Sequence, residues 1–236
     1  MGVAAPASTE TFADRVARLL DRVDYRLAES PEDLEPIFRL RYDAYVREGA
    51  LAPGISKRLT DGFDGSKNTW IFGVYIDNQL ASSIRLHITS PQHTDMPALP
   101  VFADVLLPEL QAGKIIIDPS RFVAESSLTR LYPQLPYLTV RLPWIACDYF
   151  NADYLLATVR TEHNAYYRRV FGFRTVCTPR PYPPLIKPLT LMMLDYNRTK
   201  HEEVNHRYPF FRSTFFERRM LFERPAEASR QAASAA

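Results

Sequence analysis

The sequence predicts an α+β fold, a mixed central sheet flanked by helices with a helical C-terminal extension. Three observations predict it. Helical and β-rich runs alternate in the order α-β-α-β-β-α-β-α-β-α-β-β-α. Two β-rich runs in "TWIFGVYIDNQLASSIRLHI" flank the turn signal "DNQ" and read as a hairpin. Helices separate most of the other strands, which places some strands parallel on one central sheet. A chain of 236 residues, 46% hydrophobic and 24% charged, buries one good core with room for an extension.

The elements follow in order. "FADRVARLLDRV" (12–23) carries apolar residues at helical spacing and "YRLAE" (25–29) is a short strand. "SPEDLEPIFRLRYDAYVREG" opens with Ser30 as N-cap, Pro31 at the first helical position and Asp33 in the first turn, and it closes at Gly49. The helix puts Leu34, Ile37, Phe38, Arg41, Tyr42 and Tyr45 on one broad face. A loop with "DGFDGSKN" leads into the hairpin. "FADVLLPELQAG" reads as a short helix and "KIIIDPSRFVAE" as a strand. In "LPYLTVRLPWIACDYFN", Pro143 predicts a kinked or late-starting helix. "DYLLATVR" is a buried strand, "EHNAYYRRVF" a helix and "GFRTVC" a strand. "TPRPYPPLIKP" has too many prolines for helix or central strand and must cross as an extended loop. After the last strand, "LTLMMLDY", comes a helical, aromatic appendage that must pack on something. The expected organisation is a leader and helix (1–23), a main domain (24–196), the helical extension (197–223) and a small, polar tail (224–236) too poor in apolar residues to fold.

Composition narrows the function classes. A net charge of +2 does not argue for a nucleic-acid partner. No stretch approaches eighteen apolar residues, so no spanning segment is expected. The start, "MGVAAPASTETF", lacks the basic and apolar regions of a secretory signal. It fits a myristoylation pattern through Gly2 only weakly, and a flexible leader is the expectation. Cys147 and Cys177 form no close pair and read as reduced core thiols of a cytoplasmic protein. His201 and His206 stand five apart, about 140° around a helix, where a metal pair needs four, so no metal is expected. Cys147 lies on the core face "WIACDYF" with no legible His or Asn partner, which argues against a nucleophile.

Several motifs carry a resemblance. The order of elements, ending in "NAYYRRVFGF", resembles the GNAT acyltransferases, in which the helix before the Gly-Phe turn often holds a tyrosine near the thioester sulfur. The glycine-rich loop of ordinary members is replaced here by "VAESSLTRLYPQLPY", which has no glycine, so a tight pyrophosphate cradle and an acetyl-coenzyme A donor are disfavoured. "RYDAY" (41–45), "DGFD" (61–64), "SIRL" with Arg85, and "DPSRF" (118–122) match the order and spacing of the acyl-homoserine lactone synthases. The chain lacks the tryptophan that usually follows the first motif, and it has Asp118 where those enzymes carry glutamate. Together with the proline loop and the aromatic extension, these departures make it more similar to the N-acyl amino acid synthases of the FeeM type, over about residues 24–196.

That resemblance implies a long-chain fatty acyl group moving from the phosphopantetheine thioester of acyl carrier protein to an amino-acid amine, with no tightly bound cofactor. An acyl-homoserine lactone synthase using S-adenosylmethionine, and a non-catalytic acyl-ligand sensor, are the alternatives. The chemistry needs a neutral amine, a stabilised oxyanion and a tolerated thiolate. Asp118, at the end of a buried strand, is the candidate base; its bland reading is an ion pair with Arg121 or a helix cap. Main-chain N–H groups at Phe122, Val123 and Ala124 suit an oxyanion and pantetheine amides, unless they are an ordinary strand edge. Asp61, Asp64, Arg41, Arg85 and Arg121 are either a structural ion-pair network or substrate contacts. Arg41 and Arg85 are the choices for an acceptor carboxylate. On the helix, Tyr166 and Tyr167 lie about 100° apart, so one is expected inward and the other at the surface. Family pattern makes Tyr166 the candidate proton donor to the thiolate and Asn164 a contact to the pantetheine arm. Arg160, Arg168, Arg169, Arg174, Arg180 and Lys187 face a single acid, Glu162, and are either a solvated face or a basic rim that steers an acidic carrier protein.

Overall fold

The computed structural model describes residues 10–199 and 201–224. The leader (1–9) and all of the tail beyond Arg224 lie outside the described residues. Seven strands form one sheet in the order β1-β2-β3-β4-β5-β7-β6, the α+β architecture expected. The helix α1 (Phe12–Leu20) starts at a capping box in which Thr11 and Asp14 satisfy each other's main chain. β1 (Val23–Leu27) pairs antiparallel with β2 (Thr69–Ile76). Between them α2 (Pro31–Arg47) begins at a second capping box, Ser30 with Asp33. The hairpin from β2 to β3 (Gln79–Ile88) turns on Asp77 and Asn78 alone, with φ +48° and +65°, the left-handed pair that two-residue turns require.

α3 (Leu99–Gln111) leads to β4 (Ile116–Ala124), antiparallel to β3. α4 (Ser126–Leu131) was not expected; the Glu125 carboxylate caps it by accepting from Ser127 and Leu128 N–H. α5 (Leu135–Phe150) runs through Pro143, so of the expected kink or late start the late start does not occur. Buried throughout its middle, it takes its stability from packing rather than from its proline-weakened backbone. β5 (Tyr154–Val159) lies parallel to β4, then come α6 (Asn164–Phe171), a two-residue β6 (Arg174–Thr175) and β7 (Thr190–Asp195). Gly172 ends α6 at φ +82°.

Alternation along the strands separates two faces. Ile117, Leu155, Ala157 and Met192 join the large core under α5, whereas Ile116, Leu156 and Leu191 join a smaller core under α3. The extension is no appendage. α7 (His201–Arg207), a 3-10 turn (Pro209–Phe211) and α8 (Phe215–Phe222) add Phe210, Phe211 and Phe222 to the large core, with Phe222 5.6 Å from Phe72 between ring centres. Arg141 of α5, 2% exposed, fastens it by donating to the carbonyls of Phe210 and Arg212 and to the Glu217 carboxylate.

Candidate active site

The parallel pair β4–β5 is registered only at Ile116↔Tyr154 and Ile117↔Leu155, and beyond them the strands part. Two residues explain the parting. Pro119 has no N–H to donate to a neighbour, and Arg121 turns the strand with φ +54°. The gap opens a cavity of about 900 Å³. Its walls include Ser120 to Ala124 of β4, Leu155 to Val159 of β5, Tyr137 and Val140 of α5, and Tyr166 and Tyr167 of α6. Phe122, Val123 and Ala124 line the cavity, with main chain that does not pair with β5.

The two sheet faces give the gap two chemistries. On the α5 side it meets Ile84, Val140, Leu155 and Phe171, all buried and apolar. On the other face Arg85 and His87 of β3 lie opposite Ser120 and Asp118 of β4. Here the five charges read from the sequence converge. Arg85 Nη1 donates to Asp61 at 2.6 Å and to Asp64 at 2.7 Å, and its Nε donates to Ser120 at 3.0 Å. Arg121 Nη2 donates to Asp61 at 2.6 Å, and Arg41 Nη1 to Asp64 at 2.7 Å. Asp61 and Asp64 themselves cap the 3-10 turn Gly62–Gly65, which fixes their spacing. Burial pushes Asp61 up, but the Arg85 and Arg121 guanidiniums outweigh it and hold the carboxyl far below the usual range. Arg41 and Arg85 are 0% and 1% exposed and stand behind the wall; Arg121 is the member of the trio that lines the cavity. Arg41 keeps Nε and Nη2 without a partner.

Asp118 is 1% exposed and sits directly behind Pro119 and Ser120 of the wall. One carboxylate oxygen accepts from Ala98 N–H at 2.9 Å, at the start of α3; the other has no partner. Burial pushes its pKa up to about 7, against the opposing pull of the Ala98 bond and the Arg85 charge. His87, its cross-strand neighbour, is pushed down to about 4, chiefly by burial, and spends Nε2 on Thr69 and the Phe63 carbonyl. Sequence reasoning missed Tyr182. The proline loop is pinned to α3 by Arg180, which donates to Val101 O and the Asp104 carboxylate, and Tyr182 packs on Phe102 at 6.4 Å. Burial raises the Tyr182 hydroxyl, and the charges of Asp118, Arg121 and Arg85 act on it. Only its position inside a proline-rich segment could have drawn attention to it.

Comparison with known proteins decides the family. The model of the FeeM N-acyl amino acid synthases matches residues 36–195. The chain belongs to the FeeM family. FeeM itself, an N-acyl amino acid synthase from uncultured soil microbes, superposes with a TM-score of 0.63 at 17% identity, over 75% of this chain and 92% of that one. BjaI, a CoA-dependent acyl-homoserine lactone synthase solved with SAM and isopentyl-CoA, gives 0.53 at 19% identity, over 76% and 83%. An acyl-CoA N-acyltransferase from Pseudomonas aeruginosa gives 0.50 at 17%, over 72% and 98%. At these identities the superpositions establish the GNAT-like fold. No curated protein matches the chain in sequence. Family membership makes the protein an acyltransferase.

In this FeeM-family chain both α6 tyrosines line the cavity, so the expectation of one inward and one surface phenol is corrected. The parting of β4 and β5 is wide enough that two side chains about 100° apart on the helix reach the same space. The Tyr166 ring meets Tyr137 at 5.5 Å, and its hydroxyl is buried without a partner. Tyr167 meets Phe173 at 5.6 Å. Burial raises both phenols, Tyr167 to about 12. Asn164 opens α6 with its side-chain oxygen buried and unpartnered, outside the cavity wall. The six cations divide. Arg160 and Lys187 line the cavity, Arg168, Arg169 and Arg174 are exposed, and Arg180 is committed to Asp104 on the α3 side. Arg160 is itself paired with Glu48. Among the described residues, no helix is long and apolar enough to cross a membrane, and no three His, Cys, Asp or Glu side chains group to hold a metal. The His201 side chain lies outside that description.

Proposed function

We propose that the protein transfers a long-chain fatty acyl group from the phosphopantetheine thioester of acyl carrier protein to the amine of an amino acid. The observation that carries this reading is the two-sided gap at β4–β5: buried apolar surface for a chain under α5, and an acid with three arginines on the opposite face. The thioester carbonyl lies in the gap between them. The acceptor carboxylate pairs with Arg121, and Arg41 and Arg85 behind it add to the positive field, three guanidiniums against Asp61 and Asp64. Asp118 takes the ammonium proton through one bridging water, and the neutral amine attacks the carbonyl carbon. The oxyanion is met by main-chain N–H of the Phe122–Ala124 segment. The C–N bond forms and the C–S bond breaks; Tyr166 donates its phenolic proton to the departing thiolate, and the second proton leaving the attacking nitrogen returns to the phenolate, so the amide product and the phenol are both neutral. Acceptor and donor thus enter from opposite faces of one sheet.

Mass spectrometry of organic extracts from an overexpressing bacterium tests the reading. N-acyl amino acids are expected; acyl-homoserine lactones or no new lipid would replace it with a lactone synthase or a sensor.

Two further outcomes follow from the same site. Tyr166→Phe removes a buried hydroxyl that has no partner at rest, so stability should hold. The chemical step should slow about tenfold or more, equivalent to ~1.4 kcal/mol of transition-state stabilisation. An activated aryl thioester should restore most of that rate, because its thiolate needs no proton, and Tyr167→Phe should leave the rate unchanged. A defect equal on both thioesters would assign Tyr166 to positioning. For the donor, acyl carrier protein should outpace acyl-coenzyme A, with a KM that rises with salt. The support is Lys187 on the cavity wall and the exposed cations Arg168, Arg169 and Arg174, which follow the wall residues Tyr167 and Phe173 in the chain, together with a segment after β4 that lacks glycine. Equal, salt-insensitive rates with both donors would remove the carrier protein from the proposal.

A further inference from the structure

The cavity is backed by parts of the chain that the family match does not reach. Of its wall, Tyr137, Tyr166 and Phe171 stand on the α5–α6 side. Behind them is the extension. Phe211, 0% exposed, lies 5.2 Å from the Phe171 ring and 5.8 Å from Trp144. Tyr208 and Phe210 each lie 6.0 Å from Tyr137, and Phe12 of α1 closes the other side of Tyr137 at 4.9 Å. Phe12, Tyr208, Phe210 and Phe211 all fall outside residues 36–195, the span shared with the family. The wall on this side is one ring thick, and the rings behind it are held by Arg141 through the carbonyls of Phe210 and Arg212.

We propose that this extension sets the length of acyl chain the cavity admits, with Phe211 as the specificity-determining residue behind Phe171. The proposal rests on the acyl-transfer reading above. Protein interiors are close-packed, so Phe171 cannot retreat while Phe211 fills the space behind it. A smaller side chain at 211 lets Phe171 tilt back and lengthens the apolar channel without replacing any group near the thioester.

The test is the chain-length profile of the purified full chain on a ladder of saturated acyl thioesters differing by two carbons. Phe211→Leu should move the optimum to longer chains, with kcat/KM gaining about fourfold for each methylene newly buried. Phe216→Ser, on the solvent side of α8 and 75% exposed, should leave the profile where it is. A folded Phe211→Leu protein with the wild-type optimum overturns the proposal. If that variant does not fold, Tyr208→Leu reads the same wall from a half-buried position, and an unshifted optimum there overturns it equally. The two levels separate cleanly. A wild type that acylates no amino acid on any donor removes the acyl-transfer reading, whereas a working wild type with unshifted variants removes only the role of the extension.

Discussion

Asp64→Asn should lower stability by about 3–5 kcal/mol, the range for removing one partner of a buried ion pair. Asp64 is 10% exposed at its side chain and serves Arg41 and Arg85 together. Without it Arg41, fully buried and already missing partners at Nε and Nη2, loses the carboxylate it pairs with. In a chain of this size each kcal/mol shifts Tm by roughly 2–4 °C, so a fall of about 6–20 °C in a thermal scan is expected. Asp77→Asn, which breaks the solvent-exposed pair with Arg22, should not move Tm measurably. Equal shifts for the two variants would mean that the network is solvated and contributes little. The same network fixes one pH limit. Asp61 has a folded pKa below its unfolded value, so its contribution is present above about pH 3.9 and is lost as the pH falls through that value and below.

Asp118→Asn should lower kcat by ~10²-fold or more while the fold persists, the usual contribution of a general base. The wild-type rate should rise with pH through about 7, where the carboxyl loses its proton, and the variant should lose that limb. Stability carries the opposite sign from Asp61. The folded pKa of Asp118 is raised, so the stability gained from its neutral form is complete below about pH 3.9 and is lost as the pH rises through 7. Asn cannot ionise, so the variant should gain stability relative to wild type between those limits. A fully active, normally folded variant would take Asp118 out of the mechanism.

Local chemistry was legible in the sequence where a few neighbouring residues decide the outcome. Ser30 with Asp33, Gly172 after α6 and the turn at Asp77–Asn78 all act within one turn of chain. Pro143 does not delay the start of α5, because burial on every side of that helix overrides a local helix breaker. α4 was missed because its cap, Glu125, was read only as a missing glycine loop. In the site, the motifs named arginines and acids that the fold brings into one ion-pair network. Which arginine faces the cavity is decided by strand register and by the φ of Arg121, neither of which is written in the neighbouring residues. The aromatic richness of the extension announced that it packs; its seat against Trp144 and Phe72 is a long-range fact.

That seat has a consequence for the order in which the molecule can be made. Arg141 waits for the carbonyl of Phe210, 69 residues downstream, and Phe12 meets Phe210 from the opposite end of the chain. A nascent chain that has emerged through β7 already holds all seven strands, yet its main core still lacks Phe210, Phe211 and Phe222. At translation rates of about 5–20 residues per second, the aromatic floor of α5 stays uncovered for seconds, the exposure that chaperones recognise. The large core therefore closes only once the extension has been made, and ribosome stalling between β7 and α8 leaves the aromatic side of α5 open to water.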